Sequence, residues 1–551
     1  MLIERPSFFR QWLPKGWTIA TTAIALPIAT PILCVLAKSF TDTGDIWQHL
    51  VETVLLRYLL NSFALIAGVG SGVLLLGVGC AWLVTTCNFW GRRWFEWALL
   101  LPLASPAYVL AYTYTEWLEY YGPVQTSLRN WFGWQDVSDY WFPSVRSLPS
   151  AIILFSLVLY PYVYLLTRVA FLEQASRTLE ASRSLGCNPW QSFGKVALPL
   201  ARPAIIAGLS LVLMETLSDF GTVEYFGVDT FTTGIYRVWF GMGEPAAAAQ
   251  LSSFLLLFIL VFIVLEQWSR RQAKYYQSGD RFSPIQPYML QGVRGSLATL
   301  SCLIPLMFGF VLPAGLLVKM AIDNPDSWQG RFWEYAQHSF TLAAIAALLG
   351  IIFSVTIAYG VRLYPNLIMQ ITARISAIGY AIPGSVIAVG ILIPLGAFDN
   401  SLDAWMQATF NTSTGLLLSG TIFALIFAYL VRFLAVAFGT IESSLGKITP
   451  NLDYASRSLG YGVTETLWYI HVPMMRGGLL TAGILVFVDV MKELPATLII
   501  RPFNFDTLAI RTYQLASDER LAEAAGPALA IVLVGIIPVI FLSLRIRRSV
   551  S

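Results

Sequence analysis

Four ionisable residues of this chain stand in apolar surroundings. Glu215 lies in "LVLMETLSDFG", and Asp489, Lys492 and Glu493 lie in "FVDVMKELP". A charge held away from water needs a counter-charge or a polar conduit, so these residues are candidates for ion pairs or for the wall of a solute path. Oxygen donors suited to a hard cation also occur, at Asp229, Asp506, Asp518, Glu519 and Tyr236, although such acids equally suit contact with a protein partner. Other chemistries are poorly served. A phosphate-cradling loop reads G-x-x-x-x-G-K-[ST]. The pairs Gly194-Lys195 and Gly446-Lys447 lack both the hydroxyl residue and the glycine-rich lead. The histidines His49, His338 and His471 are scattered, and no nucleophile–base cluster accompanies them, which argues against a membrane enzyme. Cys34, Cys80, Cys87, Cys187 and Cys302 form no C-x-x-C and sit mostly in apolar runs. They read as buried reduced thiols, not as a metal site or a disulfide framework.

The elements that position these residues are apolar and long. Of 551 residues, 56% are hydrophobic and 12% charged, with a mean hydropathy of +0.65. Soluble domains carry about 25% charged residues, so lipid is the main solvent here. A membrane-crossing helix needs about 20 mostly apolar residues. Candidates fall at 17–38, 60–86, 94–117, 149–171, 203–222, 246–267, 296–320, 338–361, 372–397, 413–438, 477–500 and 524–544. With the N-terminus placed in the cytoplasm, alternate connections on that side collect most of the 35 basic residues, as the positive-inside rule requires. Both termini are then cytoplasmic. The first apolar run is too long for the core of a secretory signal.

The twelve spans form a repeat. "ASRSLG" occurs at Ala181–Gly186 and at Ala455–Gly460, each followed at equal distance by a proline, Pro199 and Pro473. Tyr58, Ser62 and Phe63 recur as Tyr335, Ser339 and Phe340. Pro106 recurs as Pro383, Met214 and Leu217 as Met491 and Leu494, and Asp229 and Thr230 as Asp506 and Thr507. The chain therefore reads as a first core at 1–268, a cytoplasmic linker at 269–295 and a second core at 296–551. Six spans per half give the halves one orientation about an axis along the membrane normal, whereas inverted repeats run antiparallel. In this register Glu215 corresponds to Lys492.

Each polar echo joins the fourth and fifth span of its half. Gly186 and Gly460 suit a left-handed helix cap. Asn188 followed by Pro189 opens a second helix, which is expected to stop before Pro199, as its counterpart stops before Pro473. A helix–glycine–helix elbow in two copies reads as a docking surface for a duplicated partner.

The elbow resembles the signature loop of binding-protein-dependent ABC importer permeases, a Glu-Ala-Ala run followed by a glycine and then Ile-x-Leu-Pro. The first copy offers Glu180, Ala181, Ser182, Gly186, Val196, Leu198 and Pro199. The second offers Tyr454, Ala455, Ser456, Gly460, Ile470, Val472 and Pro473. Tyr454 replaces the expected acid, with Asp453 beside it as a substitute. The resemblance covers nearly the whole chain as two fused permease cores. It implies the type I ABC importer permease fold, an all-α integral membrane protein with 12 transmembrane helices in two homologous six-helix halves. It further implies that each loop docks an ATP-hydrolysing subunit, two copies in all on the cytoplasmic side, and that a periplasmic substrate-binding protein delivers the cargo. The chain would be no enzyme and hold no cofactor, with ATP on the partner. It would bind no nucleic acid and would reside in the bacterial cytoplasmic (inner) membrane. "SDFGTVEYFGVDTF" and "MKELPATLIIRPFNFDTL" look like the iron(III) branch of the fused permeases. The thiamine branch is similar in layout and matches these stretches less well. An ion-gradient-driven secondary transporter is the competing class, with the intramembrane acids and base as its best evidence.

Repeat-equivalent residues meet across a two-fold axis when they lie near it, so Glu215 and Lys492 are expected to pair between halves, the alternative being Asp489 with Lys492 three residues on. Exchanging the charges tests this. Glu215→Lys and Lys492→Glu are each expected to abolish transport and, combined, to restore it; a double variant as inactive as the singles refutes the pair.

Overall fold

A computed structural model describes residues 16–173, 182, 184–272 and 287–550. Helix dominates because a helix satisfies its own backbone polar groups, which any lipid-immersed segment must do. Eleven helices are long and apolar enough to cross a membrane, and the count reaches 12 if the bent pair Arg92–Ala104 and Ala107–Phe132 is one span. The bend, 89°, falls at Pro106, which is extended (φ −60, ψ 143) just before the helix Ala107–Leu118. Its repeat partner Pro383 is likewise extended before Gly384–Phe410. Proline lacks the N–H that a continuous helix would use. The third span of each half is therefore interrupted at the same repeated residue, where the hydropathy pattern suggests unbroken runs at 94–117 and 372–397. Among the described residues the departure from helix is a parallel pair of two-residue strands, Cys87–Asn88 with Tyr288–Met289.

The helices gather into two compact units that cut across the sequence repeat. One holds the described residues through Ala37 with 339–491 and 500–503. The other holds those of 38–338, 492–499 and 504–550. The boundary we propose between the cores, at 269–295, is thus a division of the repeat and not of compactness. Residues 273–286 of that linker lie outside the described residues.

In the first unit the helix Gly16–Lys38 packs on second-half helices. Trp17 meets the edge of Tyr359, with ring centroids 5.3 Å apart, and the Thr21 hydroxyl donates to the Met369 sulfur at 3.0 Å. Gly390 brings its backbone against the carbonyl of Pro31. In the second unit the mirror exchange occurs. The run Gly292–Asp323 passes first-half helices, with Gly309 against the carbonyl of Leu157 and the Tyr114 hydroxyl donating to the Phe308 carbonyl. The last span docks there too, Gly535 lying against the carbonyl of Ala104. Helices Leu56–Thr86 and Leu148–Glu173 meet where Gly68, Gly72 and Gly77 face Ile152, Ser156 and Val163. Lipid supplies no hydrophobic drive between helices, so close backbone approach at small residues holds them together.

Gly390→Ala places a methyl against the Pro31 carbonyl and is expected to destabilise the first unit by about 1–3 kcal/mol, the usual cost of overpacking. Gly396 has open space around its Cβ position, so Gly396→Ala is expected to leave the midpoint of thermal unfolding in detergent unchanged or raised. Equal midpoints for the two variants would refute the seating of the first helix.

Candidate functional site

The two elbows have the same internal bonds. Gly186 and Gly460 take left-handed φ values of 83° and 88°, which glycine adopts without a Cβ penalty. The Cys187 N–H donates to the Ser182 carbonyl at 3.0 Å, and its equivalent Tyr461 N–H to the Ser456 carbonyl at 3.1 Å. These are the six-to-one bonds of a Schellman cap. Inside each elbow a hydroxyl pair ties the two helices together, Ser182 to Ser192 at 2.9 Å and Ser456 to Thr466 at 2.7 Å. The second helix then opens with the side chain of its third residue on the N–H of the cap residue. The Gln191 side chain accepts from the Asn188 N–H at 3.1 Å and Glu465 accepts from the Gly462 N–H at 2.7 Å. Glu180 and Ala181 lie outside the described residues.

Neither elbow helix stops before its proline. Pro189–Ser192 runs through a π turn, Phe193–Ala197, into Leu198–Ser218. Val463–Thr466 does so through Leu467–His471 into Val472–Met491. The wider π turn precedes Pro199 and Pro473 and accommodates the missing N–H, so elbow and fifth span form one rod. Each elbow also exposes large apolar side chains at its tip. Leu185 is 83% exposed and its equivalent Leu459 76%. Trp190 and Tyr454 are exposed as well. Leu185 and Leu459 are additions to the sequence-derived site, and their signal was present in the shared "SLG".

Asp453, the substitute acid, is engaged within its own unit. Its carboxylate accepts from Arg362 at 2.6 Å and lies 3.2 Å from the His471 ring. Arg362 also donates to the carbonyls of Leu445 and Ile448, at 2.8 and 2.9 Å. Tyr454, not Asp453, faces outward.

The intramembrane acids are placed by breaks in the fifth spans. After Ser218 the carboxylate of Asp219 accepts from the Thr222 and Val223 N–H groups, at 2.8 and 3.2 Å, and so caps the short helix Gly221–Tyr225. After Met491 the carboxylate of Glu493 accepts from the Ala496 and Thr497 N–H groups, each at 3.0 Å, and caps Pro495–Ile500. Glu493 is buried; its capping bonds give it a structural task beside any role in a path. Asp219 was overlooked in the sequence because "SDFG" looks like an ordinary turn. The two breaks touch within the second unit: a Cβ on Gly221 would lie 2.7 Å from Leu494 and 2.9 Å from Tyr108. Glu215 and Lys492 are both half-buried, and their pairing remains a proposal. Asp489 is half-buried in the first unit.

Two of the five candidate oxygen donors are engaged by cations of the chain. Asp229 binds Arg57 at 3.3 Å and Arg237 at 3.0 Å, and Glu519 binds Arg146 at 3.2 Å. Among the described residues no three His, Cys, Asp or Glu side chains converge in a way that could hold a metal ion. The repeat nevertheless shows here again. Asn61 donates to the Asp229 carbonyl at 2.8 Å, and the equivalent His338 donates to the Asp506 carbonyl at 3.0 Å.

Comparison with known proteins points to solute transport. Residues 73–274 match the family model described as binding-protein-dependent transport system inner membrane component. The chain is 27% identical to the Fe(3+)-transport system permease protein FbpB 2 of Haemophilus influenzae, over 98% of each chain. It is 26% identical to the ferric transport system permease protein FbpB of Actinobacillus pleuropneumoniae, over 80% of this chain and 64% of the other. The molybdenum transport system permease protein ModB of Escherichia coli is matched over 95% of its length but only 42% of this chain, at 25% identity. A relative the size of one core is thus used up by less than half of this polypeptide. Residues 73–274 thus carry a domain of the binding-protein-dependent transport system inner membrane components, and along 98% of its length the chain is similar to a permease of Fe(3+) transport.

Proposed function

We propose that this chain is the membrane-spanning permease of an ATP-driven importer that takes up iron(III) delivered by a periplasmic binding protein. The observation that carries the reading is the likeness to the Haemophilus Fe(3+)-transport permease along 98% of both chains. The elbows support the energy coupling. Two apolar-tipped turns with the same internal bonds suit two copies of one ATPase subunit, one per elbow, on the cytoplasmic side. Ser182, Gly186, Pro199, Tyr454, Ala455, Gly460 and Pro473 frame those docking faces, with Leu185 and Leu459 at their tips, and Glu180 and Ala181 belong to the first loop by its sequence motif. Asp453 positions the second elbow through Arg362. Each elbow continues into a fifth span, so a displacement at the docking face is carried along the rod to the break at Asp219 or Glu493. The distribution of basic residues supports a reading with both termini in the cytoplasm of a bacterial inner membrane.

A strain lacking the chain is expected to lose uptake of labelled Fe(III) and to keep uptake of labelled thiamine; the reverse result overturns the cargo. Leu185→Asp and Leu459→Asp put a charge into each docking face. Each is expected to weaken ATPase co-purification by about tenfold or more, as loss of a central anchor does. The double variant is expected to release the ATPase completely and stop import. Retention of the ATPase by the double variant refutes elbow docking.

A further inference from the structure

The second unit contains a ladder of tyrosines whose hydroxyls find no partner among the described residues. At its outer end Arg146 joins Glu119 and Glu519, each at 3.2 Å, and its guanidinium lies 4.9 Å from the ring of Tyr225. The Tyr225 ring stands 4.5 Å from Tyr112, edge-on, and Tyr112 stands 5.8 Å from Tyr108. Tyr108 packs on Gly221, beside the break that Asp219 caps. Tyr108 and Tyr112 are each only 4% exposed, yet no group among the described residues hydrogen-bonds to either hydroxyl.

A buried phenol without a partner is costly, about 1–3 kcal/mol. Two neighbouring ones, between an exposed ionic rim and the break that half-buried Asp219 caps, point to an occupant that supplies the missing bonds in passing. Packing does not require the hydroxyls, since phenylalanine would fill the same space. The Asp219 carboxylate has three donors within its own helix start, two N–H groups and the Thr222 hydroxyl, which leaves lone-pair capacity on its two oxygens. Neutral or ionisable oxygens without a nitrogen or sulfur donor among them are the set that a hard cation prefers.

We propose that the hydroxyls of Tyr108 and Tyr112, with the carboxylate of Asp219, form a transit site for the cargo cation inside the membrane, entered from the rim of Arg146, Glu119 and Glu519. The site rests on the reading of the cargo as a hard trivalent cation. It holds that cation or its water shell by oxygen alone and weakly enough for release.

The test uses the complete transporter with its ATPase and binding protein in proteoliposomes. Labelled Fe(III) uptake and ATP hydrolysis are measured for wild type, Tyr108→Phe, Tyr112→Phe and the double variant. Tyr160→Phe is the control, because Tyr160 is also buried with an unpartnered hydroxyl but lies in the helix Leu148–Glu173, outside the ladder. Each ladder variant is expected to lower uptake about tenfold, the loss of one hydrogen bond to a charged group. Binding-protein-stimulated hydrolysis is expected to persist, and the control is expected to match wild type. Double-variant uptake within twofold of wild type, or an equal loss in the control, overturns the transit site while leaving the cargo intact. Absence of Fe(III) uptake by wild type overturns the cargo and the site with it.

Discussion

A backbone N–H released inside a membrane must find a partner within the protein, because the hydrocarbon offers none. That constraint organises the fifth spans. Each fifth span ends in mid-chain and a short helix restarts, and at each restart a carboxylate accepts the freed donors. Asp219 serves Thr222 and Val223, and Glu493 serves Ala496 and Thr497. The acids are not repeat equivalents, since Glu493 aligns with Thr216. The two halves reached the same solution from different positions. An intramembrane acid is therefore first a component of the backbone, and a role toward cargo has to be argued from what its remaining lone pairs and its neighbours offer.

The same constraint explains how the elbows stay attached to the membrane domain. A proline at the head of a long helix usually ends whatever precedes it. Here Pro199 and Pro473 follow π turns that let the helix run on. Stiffness is thereby preserved across a residue that normally interrupts it, and the docking turn and the intramembrane break become two ends of one element. In the second half the Arg362–Asp453 pair further fixes the root of the elbow, with the arginine also held by two backbone carbonyls.

Much of this was legible in the sequence. Hydropathy alone located the spans, and the paired motifs placed the elbows, their left-handed glycines and their caps. The equivalence of Asn61 with His338 and of Asp229 with Asp506 appears in the structure as two like hydrogen bonds. Three features were hidden for physical reasons. Pro106 and Pro383 were visible as a repeated pair, but an apolar run reads alike whether straight or bent through 89°. Asp453 was visible as an acid, but its inward partner Arg362 is distant in sequence. The unpartnered hydroxyls of Tyr108 and Tyr112 are defined by what surrounds them in space, and no local pattern reports that.

The exchange of first spans has a consequence for biosynthesis. The helix Gly16–Lys38 makes its described contacts with Tyr359, Met369 and Gly390, segments that leave the ribosome only after well over half of the polypeptide has been made. Until then it must wait in the bilayer with its packing face against lipid, while Leu56–Thr86 and Leu148–Glu173 already have each other. Assembly of the first unit is thus deferred to late translation, and fusing both cores in one polypeptide keeps the waiting helix tethered to the partner it needs.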